Sequence, residues 1–205
     1  MPSRFLNVVI AVVAALAGLA LASLWFKPGT VELKSGTQLQ QRRELPAFTL
    51  QGDDGKALTK SNLQGHWTLV FPGFTFCPDV CPTTLAFLKT LDAALRTAGT
   101  QPPQVLFLSV DPARDTPQRL AQYVHYFNPA FVGATAQEPE LANFTRALGV
   151  AYAKVPGSDA DTYTMDHTAA LILLDPQARI AAYFSPPHKL DDMAADLQRL
   201  IGAQP

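Results

Sequence analysis

Apolar and polar positions alternate along this chain in a pattern that predicts strands and helices in turn. Two continuous apolar runs, WTLVFPG at 67–73 and VLFLSVD at 105–111, are typical of strands buried on both faces. The stretch PAFTLQGDDGKALT at 46–59 predicts two short strands around a Gly-Asp-Asp-Gly turn. TAALILLD and IAAYF, on either side of a turn at 175–178, predict a second hairpin.

The segments between these strands carry helical periodicity. Apolar residues from Leu85 to Leu95 recur at intervals of three and four, which predicts a helix ending near Ala98. Thr116 followed by Pro117 is typical of an N-cap with proline in the first turn. EPELANFTRALGV and PHKLDDMAADLQRLIG predict two further helices. The pattern predicts an α/β three-layer sandwich with a mixed central sheet, thioredoxin-like because a buried strand leads directly into a cysteine turn at a helix N-terminus.

The N-terminal segment differs in composition from the rest of the chain. LNVVIAVVAALAGLALASLWF, at 6–26, contains no charged residue and is long enough for a helix across the hydrocarbon layer of a membrane. Ala20-Leu21-Ala22 offers a signal-peptide cleavage site as an alternative, but the apolar run continues past it. We expect a transmembrane anchor at 1–27, a polar tether at 28–45 and a folded domain at 46–205.

The charges of the chain bear on its partners and location. The 16 basic and 17 acidic residues nearly cancel and no basic run stands out, so we expect no nucleic-acid partner. The anchor is not preceded by an Arg- and Ser-rich transit segment, which favours a bacterial inner membrane. The tail before the anchor is short, so we expect the folded domain after the anchor to be the part that is exported across the membrane. It would then face the periplasm, an oxidising compartment.

Both cysteines of the chain lie in GFTFCPDVCPTTLAFL, residues 73–88. A proline follows each of them, and the residue before a proline avoids helical geometry. We therefore expect Cys77 and Cys81 to flank a turn, with the helix beginning at Pro82, where its free N–H groups would favour thiolates. A structural disulfide, a redox dithiol and part of a metal site all remain open, although so short a loop gives a disulfide little effect on the unfolded chain.

A metal site would need at least one further ligand, and His167 is the candidate. It lies at the start of a predicted core strand, after PGSDADTYT at 156–164, which we expect to be a mobile loop. Asp166 could orient the imidazole ring. Two cysteines and a histidine suit Cu(I), or Cu(II) with an added oxygen ligand. The alternative is that His167 is a polar residue at the end of a loop.

Three segments, in this order and spacing, resemble the Sco/SenC family. They are GFT followed by CPDVCP at 77–82, SVDPARDTP at 109–117, and DHT at 166–168. The resemblance covers roughly residues 45–201, and the CPDVCP block with a downstream DHT step is specific. It implies a membrane-anchored, thioredoxin-like copper protein.

The resemblance also implies a function in the assembly of cytochrome c oxidase. Family members deliver copper to the dinuclear copper centre of subunit II, reduce its cysteines, or both. Carried over, Cys77, Cys81 and His167 would be the ligands of Cu(I) or Cu(II), and an upstream periplasmic copper donor is a further expected partner. We expect a metallochaperone rather than an enzyme. The alternative is a thiol–disulfide reductase in which Cys77 and Cys81 are the redox-active pair.

Aspartates near these motifs are candidates for supporting roles. Asp79 lies between the cysteines, where it could tune the thiols, contact a partner or shape the turn. Asp111 and Asp115 belong to a turn followed by a helix N-cap. We expect both near the cysteine turn, where they would orient the ligands, as Asp166 would, or dock a partner.

Overall fold

The computed structural model describes residues 2–25, 32–157 and 162–202. The chain forms two compact units, Met1–Val31 and Glu32–Pro205. The first contains helix α1 (Pro2–Trp25), on which apolar side chains such as Leu6 and Ile10 are exposed. Within the described ranges, no helix combines the length and apolarity needed to cross a membrane, so the predicted transmembrane helix is not confirmed.

The second unit alternates strands and helices as predicted. Its strands are β1 (Gly36–Glu44), β2 (Thr49–Gly52), β3 (Ala57–Thr59), β4 (Thr68–Gly73), β5 (Gln104–Ser109), β6 (Val132–Thr135), β7 (Tyr152–Pro156), β8 (Tyr163–His167), β9 (Leu171–Leu174) and β10 (Arg179–Phe184). Its helices are α2 (Val80–Thr97), α3 (Pro117–Phe127), α4 (Glu140–Leu148) and α5 (Leu190–Gly202), with a short 3-10 helix at Lys60–Leu63.

The main sheet has the strand order β1-β10-β9-β4-β5-β6-β2-β3. Its pairs β4–β5 and β5–β6 are parallel and the others are antiparallel, so the sheet is mixed. Leu85 of α2, Leu120 of α3 and Leu197 of α5 pack into the core on one face, and Phe144 of α4 packs into the core on the other. The predicted three-layer, thioredoxin-like sandwich with a mixed sheet is confirmed.

One edge of this sheet brings the predicted motifs together. The parallel strands β4 and β5 both end there, at Gly73 and Ser109. Strand β9 runs antiparallel to β4 and begins at the same edge with Leu171. The cysteine turn, the SVDPARDTP loop and the residues after His167 therefore lie side by side.

Part of the segment predicted as a polar tether is an edge strand. Strand β1 pairs with β10, and the N–H groups of Lys34 and Ser35 each donate to the buried Asp196 carboxylate at 2.8 Å. The hydropathy pattern is uninformative here, because this edge strand is largely exposed and Leu39, its single large apolar residue, is the one that packs on the core. The folded unit therefore begins before the predicted boundary at residue 46.

The segment predicted as a mobile loop before His167 is in part a two-stranded ribbon. Strands β7 and β8 pair with each other, with Tyr152 opposite His167 and Pro156 opposite Tyr163. Part of the predicted loop, residues 158–161, lies outside the described residues. His167 is thus the last residue of a paired strand. The two strands β7 and β8 together are called the ribbon below.

Candidate metal centre

The cysteine turn, residues 74–81, connects β4 to α2. Helix α2 begins at Val80, so the expectation that both cysteines lie outside the helix is wrong for Cys81. Pro82 occupies the third helical position, where its missing N–H takes no intrahelical hydrogen bond, so the proline does not prevent the helix from starting earlier. Cys77 stays outside, and its Sγ accepts the N–H of Cys81 at 3.4 Å.

The two thiols differ in their exposure. Cys77 is half-buried and Cys81 is buried, and both are free. Burial raises the pKa of the Cys81 thiol far above its ordinary value; a hydrogen bond involving the Phe74 backbone opposes the shift, and the neighbouring Cys77 adds to it. The expected stabilisation of a thiolate by the helix N-terminus is therefore outweighed by burial at Cys81.

Gly73 provides the space that the buried thiol occupies. A Cβ at this position would lie 3.0 Å from Cys81 Sγ and 2.6 Å from a ring carbon of Phe107. Contacts this short would force the thiol or the core aromatic to move. The GFT segment that precedes the cysteines is therefore part of the packing of the site.

His167 reaches the buried thiol from the ribbon. Its Nε2 atom lies 3.9 Å from Cys81 Sγ, and its Nδ1 atom lies 3.0 Å from the Thr168 carbonyl oxygen. The ring also packs edge-on against Phe74, with centroids 6.0 Å apart. Because a carbonyl only accepts, this hydrogen bond requires a proton on Nδ1, and in the neutral imidazole the lone pair of Nε2 then faces the thiol.

Asp166 does not occupy the orienting position that was expected for it. It is exposed, whereas Met165 and His167 on either side of it are half-buried, as the alternation of a strand requires. The carbonyl of Thr168 is the hydrogen-bond partner of the His167 ring instead. The backbone, rather than a carboxylate, fixes the tautomer.

The donor atoms fit a soft metal ion in kind and, for one pair, in spacing. A thiolate and an imidazole nitrogen bound to one ion at the distances found in zinc sites, about 2.3 and 2.0 Å, lie about 3.5–3.8 Å apart. The Cys81–His167 pair is close to this separation at 3.9 Å. In the part of the chain that the structure describes, no group of three or more His, Cys, Asp and Glu residues is yet arranged to hold a metal ion.

Asp115 ties the cysteine turn to the main sheet. Its buried carboxylate accepts the backbone N–H of Thr75 at 2.9 Å, the Thr75 hydroxyl at 2.6 Å and the Ser109 hydroxyl at 2.6 Å. The bonds connect the end of β5 with the residue two positions before Cys77. Of the two roles expected for Asp115, burial favours positioning over contact with a partner.

Asp111 is also buried, and it faces the ribbon. Its carboxylate accepts the Tyr163 hydroxyl at 2.8 Å and pairs with Arg114. Asp79 is exposed, caps nothing with its side chain and accepts the Thr83 hydroxyl at 3.4 Å. Asp115 thus binds the cysteine turn, Asp111 binds the ribbon, and Asp79 faces solvent.

Several residues at this site were not singled out in the sequence. Arg114 lies 4.6 Å from the ring centroid of Phe76 and 3.6 Å from that of Tyr163, and Arg119 lies 3.9 Å from that of Phe76. The period-two spacing of Tyr163, Met165 and His167 was a signal for a strand, but it is masked by the polar residues between them. The arginines gave no signal, because a charged residue in a loop is usually solvated.

The chain matches known proteins over most of its second unit. The SCO1/SenC family model matches residues 36–202. The mitochondrial SCO2 homolog of Bos taurus is 32% identical over 199 residues, which cover 93% of this chain and 74% of the relative. The mitochondrial SCO1 homolog 1 of Arabidopsis thaliana is 37% identical over 147 residues, 71% of this chain but only 43% of the relative.

The fold is likewise similar to that of a solved structure with copper bound. ScoI from Bradyrhizobium japonicum, in its copper-bound form, superimposes with a TM-score of 0.65 at 39% identity. The match covers 75% of this chain and 97% of that one. The cysteine turn and His167 lie inside the matched family segment. The chain therefore belongs to the SCO1/SenC family.

Proposed function

We propose that this protein binds copper as cargo, through the thiols of Cys77 and Cys81 and the imidazole of His167. The observation that carries the proposal is the 3.9 Å separation of Cys81 Sγ and His167 Nε2, two atoms from segments 86 residues apart. Two thiolates and an imidazole suit Cu(I), and Cu(II) with an added oxygen ligand. The copper-bound structure of the Bradyrhizobium relative supports the same cargo.

Copper binding at this site displaces protons. Burial raises the pKa of Cys81, so in the metal-free protein this residue is a thiol, and the bound cation replaces its proton. In the neutral His167 imidazole the Nδ1 proton faces the Thr168 carbonyl, which leaves the lone pair of Nε2 for the metal. Cys77 is the more exposed thiol and is the ligand that a thiolate of a partner reaches most easily.

The destination we propose is the dinuclear copper centre of cytochrome c oxidase subunit II, with a periplasmic donor supplying the copper. Membership of the SCO1/SenC family supports this target. Transfer proceeds by stepwise ligand exchange. His167 leaves first, because it belongs to a ribbon that is separate from the main sheet, and the two thiolates are then exchanged against those of the acceptor.

Copper titration of the reduced, purified chain tests the ligand set. The wild type is expected to bind one Cu(I) per chain in competition with a chromophoric chelator, and Cys77→Ser or Cys81→Ser to abolish this binding. His167→Ala should weaken it at least about tenfold, since one ligand of three is lost. His125→Ala is the control, because His125 is an exposed histidine far along α3. Equal affinity of the wild type and His167→Ala would contradict the three-ligand site.

A second candidate function rests on the unequal exposure of the thiols. Cys77 is half-exposed, and Cys81, four residues later, is buried. This is the arrangement of an attacking and a resolving cysteine. The Cys77 thiolate would attack a disulfide of subunit II to form a mixed disulfide and release one target thiolate. Cys81 would then attack the Cys77 sulfur, which releases the second target thiolate and leaves Cys77–Cys81 oxidised.

The reductase alternative predicts a trapped intermediate in metal-free protein. Cys81→Ser should accumulate a mixed disulfide with the oxidised soluble domain of subunit II, and His167→Ala should react at the wild-type rate, because exchange chemistry does not use the imidazole. Copper transfer to the reduced subunit, with a strong dependence on His167, would instead identify the metallochaperone.

We also propose that the uncharged N-terminal segment holds the domain at the bacterial inner membrane, facing the periplasm. The run at 6–26 without a charged residue supports this location. Fractionation of cells that express the full chain is the test. Recovery with the membrane after a carbonate wash is expected, and release of the full-length chain by that wash would contradict an integral anchor.

A further inference from the structure

The ribbon contacts the rest of the domain through one of its two faces. Along β8 the residues Tyr163, Met165 and His167 are half-buried, whereas Thr164 and Asp166 are exposed. Met165 packs against the core cluster that contains the cysteine turn. The contacts between this face and the rest of the domain therefore set the fraction of molecules in which His167 lies beside Cys81.

Tyr163, four residues before His167, connects the ribbon to the body of the domain through several contacts. The Tyr163 hydroxyl donates to Asp111 Oδ1 at 2.8 Å, and its backbone carbonyl accepts Arg114 Nη1 at 3.0 Å. The Arg114 guanidinium also covers the Tyr163 ring, 3.6 Å from its centroid. Three separate interactions therefore fix one residue of the strand that carries the histidine.

The same arginine contacts the cysteine turn. Its guanidinium lies 4.6 Å from the ring centroid of Phe76, the residue before Cys77, and 5.9 Å from that of Phe74. The Phe74 ring in turn packs edge-on against His167. Arg114 thus lies between the segment that carries the thiols and the strand that carries the imidazole.

Opening of this contact does not leave a bare charge in the protein. Asp111 and Arg114 form an ion pair within the SVDPARDTP loop itself, so this pair does not depend on the ribbon. The interactions lost are the tyrosine hydroxyl bond, the carbonyl bond and the ring contact. Opening therefore costs these three interactions but leaves no unpaired buried charge.

We propose that Asp111, Arg114 and Tyr163 form a latch whose closing positions His167 against the cysteine turn and whose opening controls the release of copper. The inference rests on the proposed function and deepens it, because it assigns Arg114 and Tyr163 as positioning residues for a ligand. The latch residues do not bind the metal. They set the fraction of molecules in which all three ligands are together.

Tyr163→Phe in the full chain is the direct test, because it keeps the ring under Arg114 and removes only the hydroxyl. In metal-free protein, hydrogen exchange of the β8 amides should accelerate about tenfold, the change expected from one lost hydrogen bond to a charged group. Exchange of β4 amides should stay unchanged. Tyr126→Phe is the matched control, since Tyr126 is 82% exposed. Arg114→Lys, which keeps a cation beside Asp111, should accelerate β8 exchange similarly.

The copper readout separates positioning from general support. Release of Cu(I) to a chelator should be about tenfold faster in Tyr163→Phe than in the wild type, and the same substitution in a His167→Ala background should add nothing. β8 exchange at the wild-type rate, or equal acceleration of release with and without His167, would overturn the latch. Absence of copper binding by the wild type would overturn the proposed function, whereas β8 exchange would still decide whether the latch closes the ribbon.

Discussion

The two halves of the candidate copper site are built in different ways. The cysteine turn is fixed to the main sheet by buried groups, with Thr75 bound to Asp115 and Cys81 fully enclosed. His167 belongs to a ribbon in which every second residue of β8 is exposed. One half is therefore part of the core and the other is attached to it, as the proposed release of the histidine before the thiols requires.

A large loss of stability is expected when the carboxylate that binds the cysteine turn is removed. Asp115→Ala leaves the Thr75 N–H and the Ser109 hydroxyl buried without their partner, and each such group costs about 1–3 kcal/mol. We expect the free energy of unfolding to fall by about 3 kcal/mol, measured by urea denaturation. Asp79→Ala, in the same turn but exposed, should change it by less than about 0.5 kcal/mol. Equal losses for both variants would show that the turn is not fixed through Asp115.

Gly73→Ala tests the packing of the same half. The added methyl group would lie 2.6 Å from the Phe107 ring and 3.0 Å from Cys81 Sγ, and overpacking of this kind costs about 1–3 kcal/mol. We expect a lower midpoint of thermal unfolding and weaker copper binding together. Gly202→Ala, where the added atom meets open space, is the control. If Gly73→Ala unfolded at the same temperature as the wild type, the buried thiol would not be closely packed against residue 73.

Two methionines of one core cluster allow the core of the domain to be compared with the ribbon. Met193 of α5 is fully buried, and Met193→Ala should cost about 2–5 kcal/mol. Met165 of the ribbon is half-buried against the same cluster, so Met165→Ala should cost only about 1 kcal/mol. Urea denaturation of both variants measures the difference. Equal costs would place the ribbon within the rigid core and would remove the distinction.

The last comparison concerns the rates at which the two thiols are alkylated rather than the stability of the fold. Because burial raises the pKa of Cys81, its reactive thiolate stays scarce even near pH 8.5, about where an ordinary cysteine is half ionised. Iodoacetamide should therefore modify the half-exposed Cys77 at least about tenfold faster than Cys81, as followed by peptide mass spectrometry. Rates that are equal, or that favour Cys81, would contradict the buried environment of the second thiol.

The same contrast explains what the sequence could predict. The buried strands β4 and β5 and the helix begun by Thr116 follow from apolar runs and from an N-cap, and both features act locally. Strand β1 and the ribbon do not, because their polar sequences become strands only when a neighbouring strand supplies the hydrogen bonds.

At the site, residue chemistry and family resemblance identified the candidate ligands. The environment and orientation of these ligands are determined by long-range contacts. Cys77, Cys81 and His167 are recognisable as soft ligands in the sequence. The burial that suppresses the Cys81 thiolate, the Thr168 carbonyl that orients the ring and the Arg114 contact with Tyr163 depend on distances that no local pattern encodes. Pro82 misled the prediction of the helix start because proline is tolerated within the first helical turn.

X-ray absorption of the copper-loaded full chain tests the central claim most directly, namely that a thiol pair on the sheet and an imidazole on the ribbon bind one ion. For Cu(I) we expect two sulfur scatterers and one imidazole nitrogen at distances close to those of zinc sites, about 2.3 and 2.0 Å, with the imidazole contribution lost in His167→Ala. A spectrum with sulfur ligands alone, or one that is unchanged in His167→Ala, would contradict a site shared between the two halves.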